Sequence, residues 1–223
     1  MNAPYYADDL VTLYHGDCRE ITAWLEADVL VTDPPYGTAG GDRRGNDGYG
    51  RRVGNQRGVE RVGQHIANDA TTETRDAALS LWGARPALVF GSPRLPDPPG
   101  EWADRLVWDK KRPGTNGGPW RYRHESIFVT AGFVRTDNAA VSIIAAWPDQ
   151  ADHIHAKPQG LMLRLVAAAP EGLIADPFAG SGSTLVAAKT LGRRAIGVEL
   201  DERYCEITAQ RLTQDVLNFG EPA

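Results

Sequence analysis

The chain has 223 residues, 42% of them hydrophobic and 24% charged, with a formal net charge of −5. That length suits one globular domain with a full core, and the acidic balance argues against indiscriminate coating of a polyanion. No apolar run reaches membrane-spanning length, the polar start Met1–Asp9 does not read as a signal peptide, and two distant cysteines, Cys18 and Cys205, give neither a disulfide framework nor zinc-ligand spacing. A reducing cytoplasm is therefore expected.

In chain order, Val11–His15 reads as a strand, followed by Gly16-Asp17 and a helix through about Leu25. Val29–Thr32 is a short continuous apolar strand of the kind buried in parallel sheets. It runs into Asp33-Pro34-Pro35-Tyr36, where the proline rings fix φ and Pro34 holds Asp33 out of helical geometry. A carboxylate, a stiff turn and an aromatic ring thus stand together at a strand's C-terminal edge, where open α/β sheets place their ligands. A proline-rich turn with no further role is the plainer reading.

Gly37 to about Thr72 is a long segment rich in Gly, Arg, Asn and Asp, which a compact domain tolerates chiefly for a function or in disorder. It carries Arg43, Arg44, Arg51, Arg52, Arg57 and Arg61 against only Asp42, Asp47 and Glu60, and a second basic stretch contains Arg105, Lys110, Lys111, Arg112, Arg121 and Arg123. Basic segments on an acidic body can meet phosphates locally, or simply be solvated. Helix Glu73–Ala84, strand Ala87–Phe90, strands Arg105–Trp108 and Ser126–Thr130, and an irregular stretch Phe133–Ala151 follow. Helix Gln159–Ala168, strand Leu173–Ala175, helix Ser183–Leu191, strand Arg194–Val198 and helix Glu202–Leu217 complete the chain. The alternation predicts a doubly wound α/β sheet.

A second motif, Asp176-Pro177-Phe178-Ala179-Gly180-Ser181-Gly182-Ser183-Thr184, joins a strand to a helix. Gly180 and Gly182 permit tight turns and close ligand approach, and the helix start favours an anion. Glu199 ends the next strand, where nucleotide-binding α/β folds place an acid on the ribose. The pyrophosphate fingerprint requires a third small residue where Leu185 stands, so a nucleoside with a carboxylate tail fits better than a dinucleotide. Asp152, His153 and His155 lack a matching distant ligand cluster, so no metal is expected. Trp108, Trp120 and Trp147 could pack or contact bases, and Glu125 reads equally as a functional residue, a turn-holding residue or a partner of Arg123.

Together the motifs resemble the β-class, circularly permuted DNA amino-methyltransferases of the DPPY type. His15-Gly16-Asp17-Cys18, Arg123–Val129, His153–Pro158 and Ala195–Leu200 resemble further segments of that family. The resemblance implies a Rossmann-like doubly wound methyltransferase sheet, with a small recognition lobe (133–151) or the long 37–72 insertion, in a single 1–223 domain. It also implies S-adenosyl-L-methionine as cofactor, held by Asp17, Cys18, Asp33, Lys157, Asp176, Phe178, Ala179, Gly180, Ser181, Gly182, Ser183, Thr184, Glu199 and Leu200.

The catalytic set it implies is Asp33, Pro34, Pro35 and Tyr36. Asp33 and the Pro34 carbonyl would accept the amino hydrogens of a flipped adenine stacked on Tyr36. Arg43, Arg44, Arg51, Arg52, Arg57, Arg61, Lys110, Lys111 and Arg112 would meet duplex DNA. No membrane partner is expected, and a homodimer remains open. N4-cytosine methylation, RNA N6-adenine methylation and a non-catalytic cofactor-binding module are the alternatives.

Overall fold

The computed structural model describes residues 3–36, 71–111, 122–134, 142–147 and 156–218. Their strands are β1 (Tyr6–Ala7), β2 (Val11–His15), β3 (Val29–Thr32), β4 (Ala87–Gly91), β5 (Asp104–Asp109), β6 (His124–Val129), β7 (Ile143–Ala145), β8 (Ile174–Asp176) and β9 (Ala195–Glu199). They form one sheet in the order β1-β2-β9-β8-β3-β4-β6-β5-β7. From β2 to β4 all neighbours are parallel, while β6 is antiparallel to both β4 and β5. The α-helices are α1 (Glu73–Trp82), α2 (Gln159–Ala167), α3 (Ser183–Thr190) and α4 (Glu202–Asn218).

Two apolar layers cover the sheet. One packs Leu161, Leu165, Leu185, Val186, Cys205 and Leu212 of α2, α3 and α4 against Val29, Val31, Leu88 and Ile174. The other packs Trp24, Ala78, Leu79 and Trp82 against Leu30, Val89, Ala175 and Val198. Successive strand residues point to opposite faces, so Val29 and Val31 enter the first layer and Leu30 the second. This is why β3 reads as an unbroken apolar run and is buried at every position.

The direction of winding reverses between β8 and β3. After β8 the chain crosses through α3 to β9 on one side; after β3 it continues to α1 and β4 on the other. Open α/β sheets bind their ligands at such a reversal, outside the C-terminal ends of the strands. Both sequence motifs lie at this point.

The segment after Asp17 is not the expected helix. Its regular part is a 3₁₀ turn, Ala23–Glu26. The Trp24 indole takes the Cys18 carbonyl at 2.8 Å, the acceptor that an α-helix needs for its own ladder. Asp17 Oδ1 accepts the Arg19 N–H at 2.9 Å, bending the chain into a side-chain turn instead. Within the stretch expected to be irregular, Ile143–Ala145 extends the sheet by pairing parallel to Val107–Asp109.

Candidate active site

Thr32, the last residue of β3, is buried, and its hydroxyl donates to Asp176 Oδ1 at the end of β8 across 2.7 Å. Asp176 also accepts from the Phe178 N–H at 3.1 Å and is hydrogen-bonded by the Thr184 side chain. Burial nevertheless pushes its carboxyl up to about 6, with the neighbouring Asp33 charge adding to the rise against those donors. This cluster locks the start of the Asp33–Tyr36 motif to the start of the glycine loop.

Asp33 follows at once, and its side chain is partly exposed. Tyr36 Oη donates to Asp33 Oδ1 at 2.6 Å, while the Lys157 ammonium, preceding α2, closes on Asp33 Oδ2. Lys157 lies also 3.2 Å from Glu125 Oε2 on β6, which stands 3.3 Å from Tyr36 Oη. Lys110, just past β5, pairs with the other Glu125 oxygen. The Lys157 ammonium is 4.9 Å from the ring centre of Phe90, 5.8 Å from that of Tyr36 and 5.9 Å from that of Trp108, within cation–π reach of all three.

Burial disfavours the charge on Lys157, but Asp33 and Glu125 more than offset it, and its pKa is raised. Burial likewise pushes Glu125 up, yet Lys157 and Lys110 bring its carboxyl below the ordinary value. Tyr36 is raised well above the usual phenol value by burial and by both carboxylates, so its hydroxyl is a proton donor here.

In the glycine loop, Gly180 (φ 51°) and Gly182 (φ 81°) take left-handed angles, and Gly182 caps α3. A methyl group on Gly182 would stand 2.5 Å from Thr208 Cγ2, whereas one on Gly180 would meet, among the described residues, only the Phe178 carbonyl at 3.9 Å. The described residues thus leave room at the Gly180 backbone, which a ligand can enter. Thr208 Oγ1 donates to the Gly180 carbonyl at 2.9 Å, and Arg211 Nη1 donates to the Ser181 carbonyl at 2.5 Å, so α4 carries the loop. Ser183 Oγ, at the start of α3, is buried without a hydrogen-bond partner among the described residues. Ala179 is buried, and Ser181 supplies the carbonyl that Arg211 holds.

Glu199 Oε2 accepts the Gly180 N–H at 2.7 Å and Oε1 the Asp201 N–H at 2.8 Å. A carboxylate has about four lone-pair directions, so capacity remains for a ligand hydroxyl. Burial raises its pKa, with the Asp201 charge adding to the rise, against the N–H groups of Asp201, Gly180 and Leu200. The Leu200 side chain is exposed, and its carbonyl lies 3.1 Å from His15 Nε2. The pairing His15↔Glu199 sets Asp17 and Cys18 beside this end of β9. Asp17 is engaged by Arg19, which lowers its pKa, and Cys18 is buried with its thiol pushed up to about 12 by burial.

The basic residues divide. Lys110 is held by Glu125, and Lys111 lies 3.6 Å from Asp109 with a left-handed φ of 58°. Arg43, Arg44, Arg51, Arg52, Arg57, Arg61 and Arg112, like Asp152, His153, His155 and Trp120, lie outside the described residues. Trp108 is buried, with its indole N–H on the Ala146 carbonyl at 3.0 Å, so it packs. Of the readings of Glu125, the pairing with Arg123 is not the one found: Arg123 pairs with Asp109 at 2.7 Å, and Glu125 joins the Asp33–Lys157–Tyr36 group. The signal for it in the sequence is a carboxylate opening the buried run Glu125–Val129.

A family model described as DNA methylase, of the N6/N4 type, matches residues 136–210. YubD of Escherichia coli (strain K12), whose name calls it a methylase, is 29% identical over 212 residues, 88% of each chain. Shorter matches to type II methyltransferases cover 18% to 24% of those proteins. Among solved structures, TTHA0409 of Thermus thermophilus, complexed with S-adenosyl-L-methionine, superposes with a TM-score of 0.58 at 22% identity, over 93% of this chain and 96% of that one. The PvuII DNA methyltransferase, cytosine-N4-specific, gives a TM-score of 0.62 at 12% identity, over 93% of this chain and 88% of that one. These similarities bear out the Rossmann-like methyltransferase fold and support a DNA amino-methyltransferase of the N6/N4 type.

Proposed function

We propose that this chain transfers a methyl group from S-adenosyl-L-methionine to the exocyclic N6 amino group of adenine in duplex DNA, with the target base flipped out of the helix. The observation that carries the reading is the Thr32–Asp176 bond at the switch point, which joins the Asp33–Tyr36 motif to the glycine loop. A donor in the loop and an acceptor at Asp33 would thereby be neighbours. When bound, the cofactor supplies an electrophilic methyl on a sulfonium. The open face of Gly180, the partnerless Ser183 hydroxyl and the remaining lone pairs of Glu199 fit a nucleoside with a carboxylate tail.

The roles of this chain's residues follow from their chemistry. An exocyclic amino nitrogen is a weak nucleophile because its lone pair is delocalised into the ring. Asp33 and the Pro34 carbonyl accept its two hydrogens, which localises the lone pair and aims it at the methyl. The Tyr36 ring stacks on the base, and the rigid Pro34-Pro35 turn holds all three groups in register. Positioning and fixed charge then supply the acceleration. Unstacking the base costs a few kcal/mol, as in other base-flipping enzymes.

One specific observation favours a second reading: the cytosine-N4-specific PvuII enzyme shares this fold over most of both chains. The test is to incubate purified protein with duplex DNA and methyl-labelled cofactor, digest the product to nucleosides and separate them. Label in N6-methyl-2′-deoxyadenosine carries the proposal. Label only in N4-methyl-2′-deoxycytidine transfers it to the second reading, and unlabelled DNA ends both.

A further inference from the structure

Both oxygens of the Asp33 carboxylate are taken by the chain's own donors. Tyr36 Oη holds Oδ1 at 2.6 Å, and the Lys157 ammonium holds Oδ2. Each oxygen keeps a second lone-pair direction, but the ammonium and the hydroxyl compensate the carboxylate's charge and weaken it as an acceptor for an amino hydrogen. Both donors already have a second acceptor within reach. Glu125 Oε2 stands 3.3 Å from Tyr36 Oη and 3.2 Å from Lys157 Nζ, and Lys110 closes on Oε1 from the other side.

Glu125 lies on the buried stretch of β6, only 9% exposed, so its position is fixed by the sheet and not by a mobile loop. Of the two carboxylates, Asp33 is the more exposed, with a side-chain exposure of 30% against 11%. The inner acid is therefore the fixed one, and the outer acid is the one a substrate can reach.

Resting on the amino-methyl-transfer reading, we propose that Glu125 is a positioning residue: it is the alternative acceptor that draws Lys157 and the Tyr36 hydroxyl away from Asp33 when the target base enters. Asp33 then offers a free oxygen to the amino group while the net charge of the buried group is unchanged. Lys110 keeps Glu125 ionised throughout, because its ammonium faces Oε1 and takes no part in the exchange. Without Glu125, Lys157 would have Asp33 as its one acid partner among the described residues, and the amino-accepting carboxylate would stay charge-compensated.

Among the described residues, the groups facing Lys157 are Asp33 after β3, the ring and hydroxyl of Tyr36, the Phe90 ring of β4, the Trp108 ring of β5 and Glu125 of β6. Lys110 acts on it through Glu125, and Asp176 lies close enough to Asp33 to feel its charge. Removing Glu125 subtracts one of the two negative charges that raise the Lys157 pKa. Lys157 would then lose its proton at a lower pH and release Asp33.

The experiment measures single-turnover methyl transfer to duplex DNA for the wild type, Glu125→Gln and Glu125→Asp from about pH 7 to about pH 10, at saturating cofactor. For Glu125→Gln the transfer rate near neutrality is expected to fall roughly tenfold or more, with the KM for cofactor held within about threefold. It should recover as the pH rises, while the wild-type profile shows no such rise; Glu125→Asp, which keeps the charge, should lie between the two. A Glu125→Gln rate equal to wild type, or an equal loss at every pH with no gain from Glu125→Asp, overturns the proposal. If Glu125→Gln shows no cooperative melt, Glu125→Asp decides: a slowed rate with alkaline recovery supports the inference, and a wild-type rate and profile overturn it. Wild-type protein that labels no DNA sinks the transfer reading itself, an outcome distinct from an active wild type indifferent to Glu125.

Discussion

Thr32 Oγ1 and Asp176 Oδ1, 144 residues apart in the chain, meet at 2.7 Å and tie the ends of β3 and β8 together. The bond is buried, so its loss takes one donor from a buried carboxylate and leaves it to the Phe178 N–H and the Thr184 side chain. Thr32→Val should destabilise the fold by about 1–3 kcal/mol, whereas Thr32→Ser should lie near the wild type. Urea unfolding of the three proteins at one pH measures both.

Asp176 makes this region pH-sensitive. Its folded pKa of about 6 lies above the ordinary 3.8, so between those values the folded state binds more protons than the unfolded one. Stability from this group is then present at low pH and lost as the pH rises through about 6. Asp176→Asn carries no such penalty and keeps an acceptor for Thr32. Its stability relative to the wild type should improve between about pH 4 and about pH 7, by up to roughly 3 kcal/mol. Denaturant titrations across that window follow the difference.

Gly182 bears two constraints, a φ of 81° and the Thr208 methyl 2.5 Å from where a Cβ would stand. Gly182→Ala should cost about 2–4 kcal/mol by strain and clash together. It should also weaken S-adenosyl-L-methionine binding by about tenfold or more, since the loop must shift. Adding Thr208→Ser, which removes that methyl, should return part of the stability and not all of it, because the backbone angle remains. Calorimetric titration and melting curves read the two effects separately.

Tyr36 contributes a ring and a hydroxyl, and substitutions separate them. Tyr36→Ala should lose about 1–3 kcal/mol of base stacking, seen as weaker transfer to DNA with little change in cofactor affinity. Tyr36→Phe keeps the ring and should retain transfer within about tenfold. Steady-state kinetics with DNA as the varied substrate distinguishes them.

The arginine segment following Tyr36 supplies a salt-dependent attraction under the proposed function. Changing Arg43, Arg44, Arg51 and Arg52 together to Ala should flatten the slope of log K against log salt by roughly 0.9 for each phosphate that no longer meets an arginine. Fluorescence anisotropy with labelled duplex DNA over a salt series gives the slope, and an unaltered slope removes these residues from the interface.

Much of this site was legible because its parts are local. The unbroken apolar run Val29–Thr32 is buried at every position, and the glycine turn before Ser183 caps a helix. The Glu125 group was not legible for the opposite reason. Its partners Tyr36, Lys110 and Lys157 lie 89, 15 and 32 residues away, and only the antiparallel insertion of β6 beside β4 and β5 brings them together. The segment after Asp17 misled for a third reason. Its spacing suits a helix, but a buried indole captures the Cys18 carbonyl that the helix would need.

The strand order also bears on how the chain acquires its shape. β2, made early, pairs on one side only with the short β1; its parallel neighbour is β9, with Val11 aligned on Ala195. β3 likewise waits for Ile174 and Ala175 of β8. The middle of the sheet therefore closes only when the last strands have been synthesised, and few early contacts offset the entropy of that closure. Folding should be slow for a protein of this size, and the nascent chain should leave the apolar Val29–Thr32 strand without its β8 neighbour until late in synthesis.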